Sequence, residues 1–205
     1  MVCNNSAANQ SYNMGLFEFL NDMRLNVMSF DFRGFGDSDG SPTESSTYAD
    51  ARGVWDYLTI NKGVAANKIL LYGQGVGGAV AAHLAAEVLP AGLIVASGFE
   101  SLESVLVGQY DKYPAMLIKL LCRYEYDNTK TIGAVSCPKL FFHSEHDARI
   151  PIHCGAALFN LANEPKRFVI TQGHYGDEIY ASRQLVRTEW RIFINATLDN
   201  SEPQP

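Results

Sequence analysis

Two residue types capable of proton transfer stand late in the chain, each just after a short apolar run: Asp147 in HSEHDARIP and His174 in QGHYGDEIY. A carboxylate that accepts from one imidazole nitrogen fixes the ring's tautomer. The other nitrogen is then left to take a proton from a hydroxyl, which is the base half of nucleophilic acyl transfer. In the chain order nucleophile, acid, histidine, that hydroxyl sits upstream on a sharp strand-to-helix turn of pattern G-x-S-x-G. The stretch LLYGQGVGG (70–78) occupies that place. Gly73, Gly75 and Gly77 satisfy the pattern apart from the serine, because position 75 is glycine. The same letters satisfy G-x-G-x-x-G through Gly73, Gly75 and Gly78, a dinucleotide-binding turn.

The dinucleotide alternative asks for an acidic residue after the next strand, and Glu100 at the end of GLIVASGFE partly meets it. Against it stand the turn DFRGFGDSDG upstream, which a dinucleotide unit opening on its first strand does not predict, and the Asp147/His174 pair downstream. A metal site is a third candidate, since His143, Glu145, His146 and Asp147 crowd together with His153 nearby. If the strand ran on through these residues, His143, Glu145 and Asp147 would face one side and His146 the other, so the crowd need not converge. No metal and no cofactor is expected. His83 reads as an ordinary helix histidine, and Arg33 and Asp37 as partners that fix their own turn.

These residues need a scaffold that brings strand ends together. Short apolar runs at 26–32, 68–72, 92–96, 139–143 and 167–171 are bounded by Gly, Pro or polar residues, as buried strands are. Helical patterns lie between and around them at 14–23, 48–58, 77–87, 153–161 and 182–194. The alternation predicts an α/β fold, three layers with a mainly parallel sheet inside, whose ligands gather at the carboxyl ends of the strands. Residues 101–136 break the rhythm with aromatic and aliphatic side chains but no strand, and read either as a small lid or as an amphipathic helix packed on the sheet.

With these motifs in order, the chain resembles an α/β-hydrolase of the lipase, esterase and acyl-peptidase branch. DFRGFGDSDGSPTE is similar to that branch's D-x-R-G-x-G-x-S-x-G-x-P turn, GQGVGG to its elbow, SCPKLFFHSEHDARIP to the strand leading to its acid, and QGHYGDEIY to its histidine turn. Within the branch the similarity is greatest to intracellular monoacylglycerol and lysophospholipid lipases. The resemblance implies that Asp147 orients His174, and that the N–H of Val76 forms half an oxyanion hole with Asn5 or Ser6 as the other half. It also implies a small acyl ester or lipid-like ligand.

The chain departs from that family at two places. Gly75 has no side chain with which to attack a carbonyl, so the expected protein is a pseudo-enzyme or an impaired hydrolase, or a non-catalytic module that binds an acyl ligand or a protein. The family's sheet runs 1-2-4-3-5-6-7-8, and this chain begins at what would be the last residues of strand 3, an α/β-hydrolase truncated at its amino end. The run 26–32 is then expected to lose neighbours on both sides, and a fragment of a longer product is preferred over a rearranged or poorly stable sheet.

Composition bounds the remaining classes. A hydrophobic fraction of 47% over 205 residues suffices for one core, burying roughly 70% of the surface the unfolded chain exposes. One domain over 1–198 with a disordered tail at 199–205 is expected. A net charge of −6 without a Lys/Arg run argues against nucleic acid as a partner. Four scattered cysteines indicate a reducing, intracellular location. No apolar run approaches the roughly 20 residues of a membrane span.

Overall fold

In the computed structural model, residues 1–4 and 10–198 are described; the tail expected at 199–205 lies outside them. Six strands, β1 (Val2–Cys3), β2 (Ser29–Phe30), β3 (Leu70–Gln74), β4 (Gly92–Ala96), β5 (Lys139–Ser144) and β6 (Lys166–Thr171), form one sheet in the order β2-β1-β3-β4-β5-β6. Every neighbouring pair is parallel. Parallel strands need crossover connections, and helices supply them: α1 (Met14–Asp22), α2 (Glu44–Asp56), α3 (Val76–Glu87), α4 (Leu102–Gln109), α5 (Ala115–Leu121) and α6 (Ile152–Leu161) lie between successive strands, while α7 (Glu178–Ala181) and α8 (Arg183–Thr197) follow β6.

The apolar runs are continuous because both faces of the sheet are covered. Leu71, Leu93, Val95 and Phe141 pack with Trp55 of α2, Leu84 of α3 and Leu158 of α6. The alternate residues Leu70, Tyr72, Ile94 and Phe142 pack on the other face with Phe19 of α1 and Trp190 and Phe193 of α8. The result is the expected α/β/α sandwich. Helix α3 is built almost wholly of small residues and is buried on nearly every side, with Gly77–Ala82, Leu84 and Ala85 all out of solvent. Small side chains let it lie close to the sheet while α2 covers it.

Three elements differ from expectation for identifiable reasons. The run 26–32 contributes only Ser29–Phe30 to the sheet, yet it keeps a neighbour, because Val2 and Cys3 pair with Ser29 and Phe30 on one side and with Tyr72 and Gly73 on the other. Its loss of both neighbours is therefore corrected to the loss of one. A two-residue β1 cannot extend the ladder, and a cavity of about 500 Å³ opens between the amino ends of the strands, lined by Leu25, Val27, Tyr57, Ile69, Leu70 and Trp190. Helix α2 begins at Glu44 rather than 48, since Thr43 caps it: its hydroxyl accepts from the Ser46 N–H at 3.1 Å while the Ser46 hydroxyl accepts from the Thr43 N–H at 2.8 Å. The apolar periodicity starts a turn later than the cap.

The irregular segment 101–136 forms α4 and α5, of which α5 buries only Ile118 and exposes Met116, Leu120 and Leu121. Val105 of α4 reaches the core shared with the sheet, with Leu102 packed against it. Among the described residues no helix is long and apolar enough to cross a membrane.

Edge strand β6 is clamped to the outer layer by Arg167, whose guanidinium donates twice to the carboxylate of Glu189, a buried residue on α8. On the same helix Trp190 lies 6.2 Å from the Phe19 ring and 6.0 Å from the Tyr72 ring, centroid to centroid. It joins α1, α8 and the sheet. Trp190→Ala is expected to cost about 3–5 kcal/mol, read as a lower urea midpoint with an unchanged slope.

Candidate functional site

At the carboxyl end of β3 the chain turns sharply into α3 through Gly75, at φ +55° and ψ −121°. Its N–H donates to the Ala96 carbonyl at 3.0 Å, and its carbonyl accepts from the Ala79 N–H at 3.2 Å. This is the backbone of an elbow. For a residue with a β-carbon it costs roughly 1–3 kcal/mol, and glycine relieves that cost.

The flanking glycines are set by close approach. A β-carbon at Gly73 would stand 2.1 Å from the Gly77 carbonyl oxygen, and one at Gly77 would stand 2.3 Å from the Cys3 oxygen and 2.5 Å from the Asn4 oxygen. These are backbone atoms that cannot swing aside. The glycine string therefore packs a helix against two strands.

Asp147 follows β5 and is buried. Its Oδ1 accepts from the N–H groups of Arg149 at 2.9 Å and Ile150 at 2.8 Å. Its Oδ2 accepts from the Ser97 hydroxyl at 2.7 Å. Ser97, at the end of β4, holds a positive φ of 46° in doing so. Behind the carboxylate lies His143, whose Nε2 is 3.8 Å from Asp147 Oδ2 and 2.7 Å from the Ile150 carbonyl, the bond it makes as donor when neutral.

His174 lies in the turn after β6. Its N–H donates to Asp177 Oδ2 at 3.1 Å, its Nδ1 is 3.1 Å from the His146 carbonyl, and the side chain is exposed. The turn is tied to β5 by the Ser144 hydroxyl, which donates to the Gly173 carbonyl. Gly75, Asp147 and His174 thus share the carboxyl edge of the sheet, but in this structure Asp147 and His174 do not hydrogen-bond to each other. The group nearest the elbow is Tyr175, with its guanidinium neighbour Arg149 stacked 5.3 Å from the ring centre.

Val76 opens α3, so its N–H belongs to the first turn, where intrahelical acceptors are lacking. Asn5 and Ser6 lie outside the described residues. Their neighbour Asn4 is buried and stitches the strand ends, donating from Nδ2 to the Phe30 carbonyl at 2.7 Å and accepting from Ser29 and Asn13 at Oδ1.

Of the crowd at 143–153, His143 and Asp147 are buried while Glu145, His146 and His153 are exposed, and among the described residues no three His, Cys, Asp or Glu side chains are grouped to hold a metal ion. Burial pushes the Cys154 thiol up to about 11, with Glu100 and Asp147 adding to the effect, so it supplies no thiolate at neutral pH. Arg33 ties its turn to α2, donating from Nε to Asp50 at 2.9 Å, rather than pairing within the turn with Asp37.

Sequence reasoning missed Ser97, Tyr175 and Asn4. Ser97 carried a faint signal, a Ser-Gly pair closing a strand. Tyr175 adjoined the histidine but carried no pattern of its own.

The sequence model of the alpha/beta hydrolase family matches residues 11–194. An uncharacterized protein of Mycobacterium tuberculosis is 32% identical over 91% of this chain and 66% of its own length. A lysophosphatidylserine lipase of Xenopus tropicalis is 32% identical over 72% of this chain and 42% of its own. The alpha/beta hydrolase domain-containing protein 17B of Homo sapiens is 30% identical over 83% and 56%. The chain therefore spans about two thirds of these curated relatives or less. Among solved structures, an esterase of Pyrococcus furiosus superposes with a TM-score of 0.79 at 16% identity, covering 96% of this chain and 80% of that one. A monoacylglycerol lipase of Paleococcus ferrophilus gives 0.70 at 14%, over 95% and 93%. At these identities the likeness is one of fold.

His143 gives the site a measurable pH signature. Burial lowers its pKa below the ordinary value, outweighing the bond to Ile150 and the attraction of Asp147. The unfolded chain then binds a proton that the folded chain refuses, so stability falls as pH drops below about 6.5. His143→Gln should flatten that fall, seen by comparing urea midpoints at pH 7.5 and 5.5.

Proposed function

Because the chain belongs to the alpha/beta hydrolase family, we propose that it is a catalytically silent or severely impaired ester hydrolase of serine-hydrolase ancestry, whose ligand class is lipid monoesters. The observation that carries this reading is Gly75 itself. It holds the elbow's backbone, between β3 and the first turn of α3, and offers only a hydrogen where a nucleophile would stand. In an intact site the hydroxyl at that point attacks the ester carbonyl. A histidine takes its proton, and first-turn N–H groups receive the oxyanion. Here His174 is the candidate base, Asp147 its orienting acid and Val76 N–H an oxyanion donor, with Asn5 or Ser6 the second.

Removing a nucleophile from such a unit costs on the order of 10⁶ in kcat, about 8 kcal/mol of transition-state stabilisation. Lipid monoesters as the ligand class draw support from the name of the lysophosphatidylserine lipase relatives. Residues 101–136 would act as the lid of a single domain over 1–198, a role supported by the Gln109 amide donating to the Arg149 carbonyl beside Asp147.

A second reading, a non-catalytic module that binds an acyl ligand or a protein, draws support from the commitments of the remaining polar groups. Asp147 accepts from Ser97, Arg149 and Ile150, while His174 Nδ1 is turned to the His146 carbonyl. The unaltered chain should hydrolyse p-nitrophenyl butyrate no faster than His174→Ala or Asp147→Asn, all three at buffer background. Turnover by the unaltered chain that His174→Ala abolishes would reveal another nucleophile and overturn the silent reading. A saturable rise in melting temperature with a short-chain monoacylglycerol, without turnover, would select the binding module.

A further inference from the structure

At the elbow the missing side chain is not replaced by empty space. A β-carbon built on the backbone of Gly75 lies 2.5 Å from the Tyr175 hydroxyl oxygen, 3.5 Å from Tyr175 Cζ and 3.5 Å from Ile150 Cδ1. The last two are ordinary contacts, but 2.5 Å is well inside the distance at which carbon and oxygen repel. One atom, the phenolic oxygen, therefore fills the volume into which any side chain at residue 75 would project.

Tyr175 is held there from several directions. It rides on the turn between Gly173 and Gly176, both at positive φ, and that turn is tied down at Gly173 by Ser144, at His174 by Asp177, and at Gln172 by the Ser182 hydroxyl, which accepts its N–H at 2.7 Å. The ring packs against the core that also holds Ile150 and Val76, and the Arg149 guanidinium covers it.

We propose that Tyr175 is the residue that decides what reaches the elbow. Its hydroxyl plugs the nucleophile position, so that glycine at 75 and tyrosine at 175 form a complementary pair, and an acyl group cannot bring its carbonyl to the first turn of α3 while the phenol stays in place. This rests on reading residue 75 as the former nucleophile position. It adds that serine at 75 alone does not restore a reactive site, because the tyrosine would have to leave first.

Tyr175→Phe removes the offending oxygen and keeps the ring, so the full chain can be tested in a cycle with Gly75→Ala, followed by thermal unfolding. Gly75→Ala should lower the melting temperature in both backgrounds, since φ +55° strains any β-carbon. With phenylalanine at 175 the loss should be smaller by about 2–4 °C. Equal losses overturn the proposal. If Gly75→Ala fails to fold, recovery of folding by Tyr175→Phe supports the pair, and no recovery counts against it.

A fluorophosphonate probe supplies the chemical arm. Gly75→Ser/Tyr175→Phe should label at least about tenfold faster than Gly75→Ser, a difference of about 1.4 kcal/mol in barrier. Equal, measurable rates overturn the plug. If neither serine variant labels while the thermal coupling is present, the contact stands and the hydrolase-site reading is the one that fails.

Discussion

The close approach of α3 to the sheet is the constraint on which the rest of the structure depends. Gly77 lies against the backbone of Cys3 and Asn4, and Gly73 against the backbone of Gly77, with no room for a β-carbon at either place. That contact lets a two-residue strand be gripped between β2 and β3, and it aims the first turn of α3 at the carboxyl edge of the sheet. Small residues along α3 then let Trp55 of α2 reach the same core. A larger side chain at the elbow's flanks would displace helix and strands together, so packing alone fixes the glycines.

The polar groups at the strand ends are committed to one another and to the backbone. A carboxylate buried like Asp147 must be satisfied, and here two loop N–H groups and the Ser97 hydroxyl satisfy it without the histidine. His143 adds a second buried polar group that bonds Ile150, the residue whose N–H serves Asp147 and whose side chain borders Gly75. The turn after β5 is thus held by its own hydrogen bonds. His174 is left at the surface, tied by its backbone to Asp177.

Much of this was legible in the sequence because it rests on local patterns. Apolar runs bounded by Gly and Pro located four strands closely, and the glycine spacing located the elbow. The order of Asp147 and His174 placed both on the correct edge of the sheet. What was illegible depends on distant partners. The strand at 26–32 shrank to Ser29–Phe30 because its length is set by β1, a contact across the chain. Ser97 and Tyr175 took their places through folding that brings separate turns together, and neither sits in a spacing that announces it. The start of α2 was misplaced because its cap is polar and precedes the apolar rhythm.

The two margins of the sheet differ in construction. On one side β2 presents only two residues, and on the other β6 opens with Lys166 and Arg167, the latter locked to Glu189. An incoming strand from another molecule would meet fixed cations at the start of β6. Sheets in solution are recruited into aggregates through long, uncharged edges. At β6 the locked Arg167 and the Lys166 ammonium, which donates to the Phe159 and Ala162 carbonyls, set fixed positive charge at the start of that edge.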